Sequence, residues 1–242
     1  MRTLYLFLVF VAFTCLASGV LLLKTGLPFS VKPNIGMYVV SLDGVEGARS
    51  ENKGRLQSFL DSWRQTCGTR PKISVCPGML HSARGYGLTM TYVKCLSRAL
   101  SDGVDVAYFF EDDARLLSRD FCEESTRIRL LEKFPEDGFL FLLGGHQLKK
   151  LSTSVEKDAV FQPLTASYGT YSFAVPKRSL EPLLNGYLRD LSSGQKALSP
   201  DVSFYSTKLN GGEKIYICNP AISKHAAGFS NTWKKHRSEI IS

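Results

Sequence analysis

The stretch from Val104 to Asp113 constrains the chain most, because an apolar run ends abruptly in three adjacent carboxylates. Val104, Val106, Ala107, Tyr108, Phe109 and Phe110 read as a strand buried on both faces, the pattern of a parallel sheet. Glu111, Asp112 and Asp113 then fall at its carboxyl end, the edge where open α/β sheets bind ligands. Adjacent like charges are costly unless a cation or hydrogen-bond donors compensate them. Mg²⁺ or Mn²⁺ is the natural compensation, since such hard cations prefer carboxylate oxygens, keep several waters and bridge to phosphates. The plainer alternative is an acidic loop solvated at a strand end.

Elements of alternating type surround this strand. Met37 to Leu42 is an apolar strand, and Leu56, Phe59, Leu60 and Trp63 mark one face of a helix. Ile73 to Cys76 is a second short strand before Pro77-Gly78, and Val93, Leu96 and Leu100 line a helix that leads into the acidic strand. The order is therefore βαβαβ. Further on, a helix with Ile128, Leu131 and Phe134 precedes a strand from Phe139 to Leu143, closed by Gly144-Gly145. Tyr171 to Val175 is another strand, and Pro176 opens a helix striped by Leu180, Leu183, Leu184, Tyr187, Leu188 and Leu191. Pro200-Asp201 precedes a short helix with Val202, Tyr205 and Leu209, and Ile215 to Cys218 is a late strand. With 242 residues and 44% hydrophobic side chains, the expectation is one three-layer α/β domain on a mostly parallel sheet.

The amino terminus speaks to compartment. Leu4 to Leu23 has no charge and no proline and matches the roughly 20 residues that span a bilayer. This predicts a transmembrane signal anchor over residues 1–24, a linker over 25–35 and a folded domain over 36–242. Ala17-Ser18-Gly19 also resembles a cleavage site, so a removed signal peptide is the alternative. Both place the domain across the membrane, as a single-pass type II protein of the Golgi or endoplasmic reticulum, or as a secreted one. Beyond Cys15, the five remaining cysteines are odd in number, so at least one is free; Cys67 and Cys76 flank a turn and read as a local bridge in an oxidising compartment. The net charge of +8 suits an anionic ligand or surface. The basic residues are scattered, with small clusters at Lys149-Lys150 and Lys234 to Arg237, and no nucleic-acid-binding motif occurs, so no nucleic-acid partner is expected.

The segment from Gly85 to Leu117, a helix running into a strand that ends Glu-Asp-Asp-Ala, resembles the glycosyltransferases of family 25, which include lipopolysaccharide sugar transferases and collagen galactosyltransferases. Tyr38 to Gly44 resembles their first strand and nucleotide loop, Tyr168-Gly169-Thr170-Tyr171 their glycine-aromatic segment, and Pro200-Asp201 their proline-flanked aspartate. Two places depart from that pattern: Thr91-Tyr92 stands where a Ser-His pair is usual, and Gly44-Val45 replaces an arginine pair, with Arg49 further on. Pro220 to Ser230 is similar to the proline-to-histidine segment of GT-A N-acetylglucosaminyltransferases.

The resemblance implies a GT-A-like, Rossmann-related fold and metal-dependent transfer of a sugar from a nucleotide-sugar donor, a UDP-sugar, to a hydroxyl of a glycan, lipid or protein. It implies Mn²⁺ or Mg²⁺ on Asp113, with His225 as a second ligand and Glu111 and Asp112 on the donor. Ser41, Leu42 and Asp43 would line the base and ribose, and Asp201 would act as general base or orient the acceptor. Each has a plainer alternative: a loop histidine for His225, a helix N-cap for Asp201. Arg49 and Arg55 are possible phosphate partners, although exposed helix arginines are commoner, and His146 follows a strand end on the ligand-binding edge. His81 and His236 read as structural or solvated. Two other functions stay open, a catalytically inactive relative that binds nucleotide sugar, glycan or protein, and a metal-dependent phosphoryl-transfer or hydrolytic enzyme. No Walker loop, Gly-x-Ser-x-Gly elbow or His-Glu-x-x-His motif supports the last. As a base, Asp201 changed to Asn lowers turnover by roughly 10²–10⁴-fold with donor affinity kept. As a cap it is nearly silent, since Asn caps about as well as Asp; steady-state transfer kinetics separate the two.

Overall fold

The alternation read from the sequence is realised as a layered sheet. The computed structural model describes residues 32–83, 85–150, 160–168, 171–193, 214–226, 228–230 and 235–237. The acidic strand's half begins with strand β1 (Ile35–Ser41), helix α1 (Arg55–Cys67), strand β2 (Ser74–Pro77), helix α2 (Tyr86–Ser101) and strand β3 (Val106–Glu111). The second half adds β4 (Ala114–Leu116), α3 (Glu124–Glu132), β5 (Gly138–Leu142), β6 (His146–Lys150), β7 (Phe161–Tyr168), β8 (Ser172–Pro176), α4 (Lys177–Ser192) and β9 (Lys214–Cys218). Two short ribbons complete it: β10 (Ser223–His225) pairs with β4, and β11 (Gly228–Ser230) pairs with β12 (Lys235–Arg237).

The main sheet has eight strands in the order β2-β1-β3-β8-β5-β9-β7-β6. β2, β1 and β3 are mutually parallel, as are β5 and β9, while β8 runs against both of its neighbours and β7 against β9 and β6. Six of the eight strands thus share one direction. The acidic strand, expected in a mostly parallel sheet, has a parallel partner on one side and the antiparallel β8 on the other.

Strand alternation assigns the apolar residues to two cores. Tyr38, Val40, Ala107, Phe109, Leu140, Leu142, Phe173 and Val175 face a layer containing Tyr92, Leu96, Leu180 and Leu183 of α2 and α4. Val39, Val106, Tyr108, Phe110 and Phe141 face the opposite layer, with Phe59 and Trp63 of α1 and Leu130 of α3. Burial on both faces explains why β3 carries no polar residue until its end. Tyr38, Phe109 and Phe173 lie opposite one another on three adjacent strands, their rings stacked with centroids 5.3 and 5.2 Å apart. Such cross-strand aromatic contacts fix register as well as burying area.

The disulfides differ from the local bridge expected between Cys67 and Cys76. Cys67, the last residue of α1, joins Cys122, and Cys76 of β2 joins Cys95 of α2. Cys67 packs against the α1/α3 core whereas Cys76 belongs to the α2/α4 core, so the two thiols lie on opposite faces of the sheet despite their closeness in sequence. Cys218 is free and buried, as the odd count required. Among the described residues no helix is long and apolar enough to cross a membrane; Leu4 to Leu23 lies outside them. Peptide mapping under non-reducing conditions is expected to recover Cys67–Cys122 and Cys76–Cys95 links. Replacing Cys67 and Cys122 together by Ser, which opens a link spanning 55 residues, should lower unfolding free energy by about 2–4 kcal/mol in urea titrations.

Candidate functional site

The carboxyl ends of β1, β2 and β3 open onto a cavity of about 460 Å³, with Ser41, Arg55, Met79, Glu111, Asp112 and Asp113 on its wall. Each acid of the β3 motif is held by a different element. Glu111 ends β3, and its Oε1 accepts a 3.1 Å hydrogen bond from the Tyr92 hydroxyl of α2. Asp112 is buried, its Oδ2 accepting from Ser41 Oγ at 2.6 Å while its backbone N–H donates to the Val40 carbonyl. Asp113 Oδ2 receives Arg55 Nη2 at 2.6 Å and His225 Nε2 at 3.1 Å. The same Arg55 nitrogen lies 2.7 Å from Asp112 Oδ1, so one guanidinium joins the two aspartates.

His225 reaches Asp113 through the short β4–β10 ribbon. Its Cα pairs with Ala114, and Ala226 N–H donates to the Asp113 carbonyl at 2.8 Å. The ribbon is tied in turn to the main sheet. Ile222 N–H donates to the Leu143 carbonyl just past β5, and Ser223 Oγ hydrogen-bonds Ser172 Oγ at the start of β8. Gly144 makes this approach possible, because a Cβ there would collide with the Ser223 carbonyl. On the other side of the cavity, a Cβ on Gly87 would meet the Met79 carbonyl. The loop after β2 therefore lies directly on α2, where Thr91 Oγ1 accepts the Met79 N–H at 2.8 Å and donates to the Gly87 carbonyl.

The electrostatics separate the two aspartates. Burial pushes Asp112 up to about 6, against the opposing pull of Arg55 and Ser41. Burial acts in the same sense on Asp113, but the His225 hydrogen bond and charge together with Arg55 outweigh it and hold the carboxyl below the usual range. Arg55 is itself raised: burial disfavours its charge, and Asp113 and Asp112 more than restore it. Asp113 Oδ1 is buried with no hydrogen-bond partner among the described residues. That atom suits a hard cation, with His225 as a nitrogen ligand on the same carboxylate. No group of three or more His, Cys, Asp or Glu able to hold a metal by itself occurs among the described residues.

The structure thus brings together Ser41, Leu42, Glu111, Asp112 and Asp113 on the cavity, with His225 against Asp113. Asp43, expected to line the base and ribose, also has a partner in α1. Its Oδ2 accepts the Leu56 N–H at 3.2 Å, capping the first turn of α1, where exposed N–H groups attract a carboxylate. His225, whose plainer reading was a loop histidine, is buried. Asp201 lies outside the described residues. Arg55, a possible phosphate partner whose plainer alternative was an exposed helix face, is the centre of the acidic cluster, with a side chain 18% exposed. Its signal was present: Arg55 precedes Phe59 and Trp63 by four and eight residues, the spacing of one helix face turned to the sheet. Arg115 was also missed; its guanidinium donates to the Asp112 and Ala114 carbonyls and to the Ser58 hydroxyl, tying the motif's backbone to α1.

No family model matches the chain, and no curated protein matches it. Among solved structures it is similar to A197 from STIV, at 13% identity and TM-score 0.44 over 86% of this chain and 96% of that one. It is similar also to the catalytic domain of Drosophila β1,4-galactosyltransferase 7 in complex with xylobiose, at 12% and 0.42 over 85% and 74%. A third is mannose-1-phosphate geranyltransferase from Thermus thermophilus, at 11% and 0.42 over 76% and 73%. Likenesses this loose carry neither activity nor ligand across. Gly144→Ala is expected to cost about 1–3 kcal/mol, the usual range for overpacking, and to push β10 away from Asp113. Urea titration reads the first effect, and the chemical shifts of the His225 ring read the second.

Proposed function

We propose that the chain transfers a sugar from a nucleotide-sugar donor, a UDP-sugar, to a hydroxyl of a glycan, lipid or protein acceptor, with a divalent cation held by Asp113 and His225. The observation that carries this reading is the buried Asp112-Asp113 pair at the carboxyl end of β3, with Asp113 Oδ1 lacking a partner among the described residues, on the wall of a cavity large enough for a nucleotide portion. The resemblance of Gly85 to Leu117 to family 25 glycosyltransferases points the same way. When bound, the cation supplies Lewis-acid neutralisation of charge on the departing diphosphate.

The remaining work falls to the chain's own groups. Glu111 and Asp112 are hydrogen-bond acceptors for donor hydroxyls, and each is fixed in place by a hydroxyl from another element, Tyr92 and Ser41. Holding acceptors in position before the donor arrives lowers the ordering cost of binding. Arg49 and Arg55 place positive charge on the cavity wall for phosphate. Asp201 is proposed as the base that takes the acceptor proton. The two disulfides suit an oxidising compartment, which supports a lumenal or extracellular domain; the tether over Leu4 to Leu23 is proposed with it.

Asp113→Asn tests the reading. The variant should keep its circular dichroism spectrum and lose Mn²⁺-dependent UDP binding by about tenfold or more, at least 1.4 kcal/mol, in calorimetric titrations with and without the metal. Equal UDP binding by variant and wild type, with no response to Mn²⁺ in either, would overturn it.

A further inference from the structure

Resting on that reading, we infer that Arg55 is the resident occupant of the cation position, and that metal binding displaces its guanidinium from the aspartate pair onto the donor diphosphate. One atom, Arg55 Nη2, lies 2.7 Å from Asp112 Oδ1 and 2.6 Å from Asp113 Oδ2. Asp113 Oδ2 also receives His225 Nε2, so the guanidinium stands against the group that would hold the metal. A divalent cation and a guanidinium cannot share that carboxylate cheaply, since both are positive and both need its lone pairs. A cluster with this much buried negative charge needs a cation in every state, because burying unpaired carboxylates is expensive. Arg55 meets that need in the metal-free protein.

Where the displaced group goes follows from its position. Arg55 is the first residue of α1, where the helix leaves it only a following turn to pack on, and it lines the cavity already. The other terminal nitrogen of the guanidinium, Nη1, donates to Asn52 Oδ1 at 3.3 Å, a contact that does not depend on the aspartates. A diphosphate in the cavity offers a planar guanidinium the paired oxygens it prefers. Metal and nucleotide therefore bind with positive coupling, since each makes room or provides a partner for what the other moves. A cation that binds alone must displace Arg55 with no diphosphate to receive it.

The test reads Mn²⁺ affinity, by electron paramagnetic resonance of free Mn²⁺, for wild type, Arg55→Gln and Arg55→Lys, with and without UDP. Without UDP, Arg55→Gln should bind Mn²⁺ at least about tenfold more tightly than wild type, while Arg55→Lys, still cationic, stays close to wild type. UDP should tighten Mn²⁺ binding in wild type by a larger factor than in Arg55→Gln. Where Arg55→Gln does not fold without metal, wild type still decides the matter. The Arg55 side-chain N–H resonance should move on adding Mg²⁺ with UDP and stay in place with UDP alone. Mn²⁺ binding that is equal in wild type and Arg55→Gln, or an Arg55 resonance unmoved by Mg²⁺ and UDP while both bind, would overturn the displacement and leave the metal site standing. Failure of every variant to bind Mn²⁺ with or without UDP would remove the metal site and the displacement together.

Discussion

Two aspartates side by side in the interior are tolerated only if something positive stands between them, and in this chain that is Arg55. An unpaired buried charge costs several kcal/mol. The compensation is assembled from parts far apart in sequence: Ser41 at the end of β1, Arg55 at the start of α1, Tyr92 in α2 and His225 in β10. All four meet the acids in the folded domain. The electrostatics of the cluster and the packing of β1, α1, α2 and the β4–β10 ribbon around the end of β3 are thus one constraint.

The antiparallel β8 is what lets that constraint close. In a purely parallel sheet, only the carboxyl ends of strands gather at the ligand edge. Because β8 runs the other way, its leading end arrives at the same edge as Glu111. The Tyr171 carbonyl accepts the Glu111 N–H at 2.8 Å, and Ser172 holds Ser223. The ring of Tyr171 meets that of His225 edge-on, with centroids 5.7 Å apart. One reversed strand therefore supports the ribbon that presents His225 and also pairs with the strand that presents the acids.

Much of this was legible in the sequence, and the exceptions share a cause. Local periodicity showed the βαβαβ order, the double-sided burial of β3 and the helices of both layers, because alternation and 3.6-residue spacing are properties of neighbours along the chain. The direction of β8 was not legible, since Ser172 to Pro176 presents the same apolar run whichever way it pairs. The disulfide partners were not legible, because nearness in sequence says nothing about which face of a sheet a side chain occupies. β4 and β10, three residues each, are too short for a period to show. At the site, the acids stood out, but the bond from the Leu56 N–H to the Asp43 carboxylate did not. The partner that matters most, Arg55, is 57 residues away from Asp112, where no local pattern links them.

Asp112 and Asp113 are adjacent yet do different work, and their partners explain why. Both oxygens of Asp112 are engaged, one by Ser41 and one by Arg55, and Ser41 Oγ also accepts the Asp43 N–H, which extends the contact into the loop after β1. Asp112 is a fastening between two strand ends. Asp113 concentrates two donors, Arg55 and His225, on Oδ2 and leaves Oδ1 without a partner among the described residues. A buried acceptor left open in this way is costly unless a ligand completes it. The geometry therefore leaves Asp113 with an open acceptor at the cavity, while the bonds of Asp112 keep the loop that shapes the cavity in place.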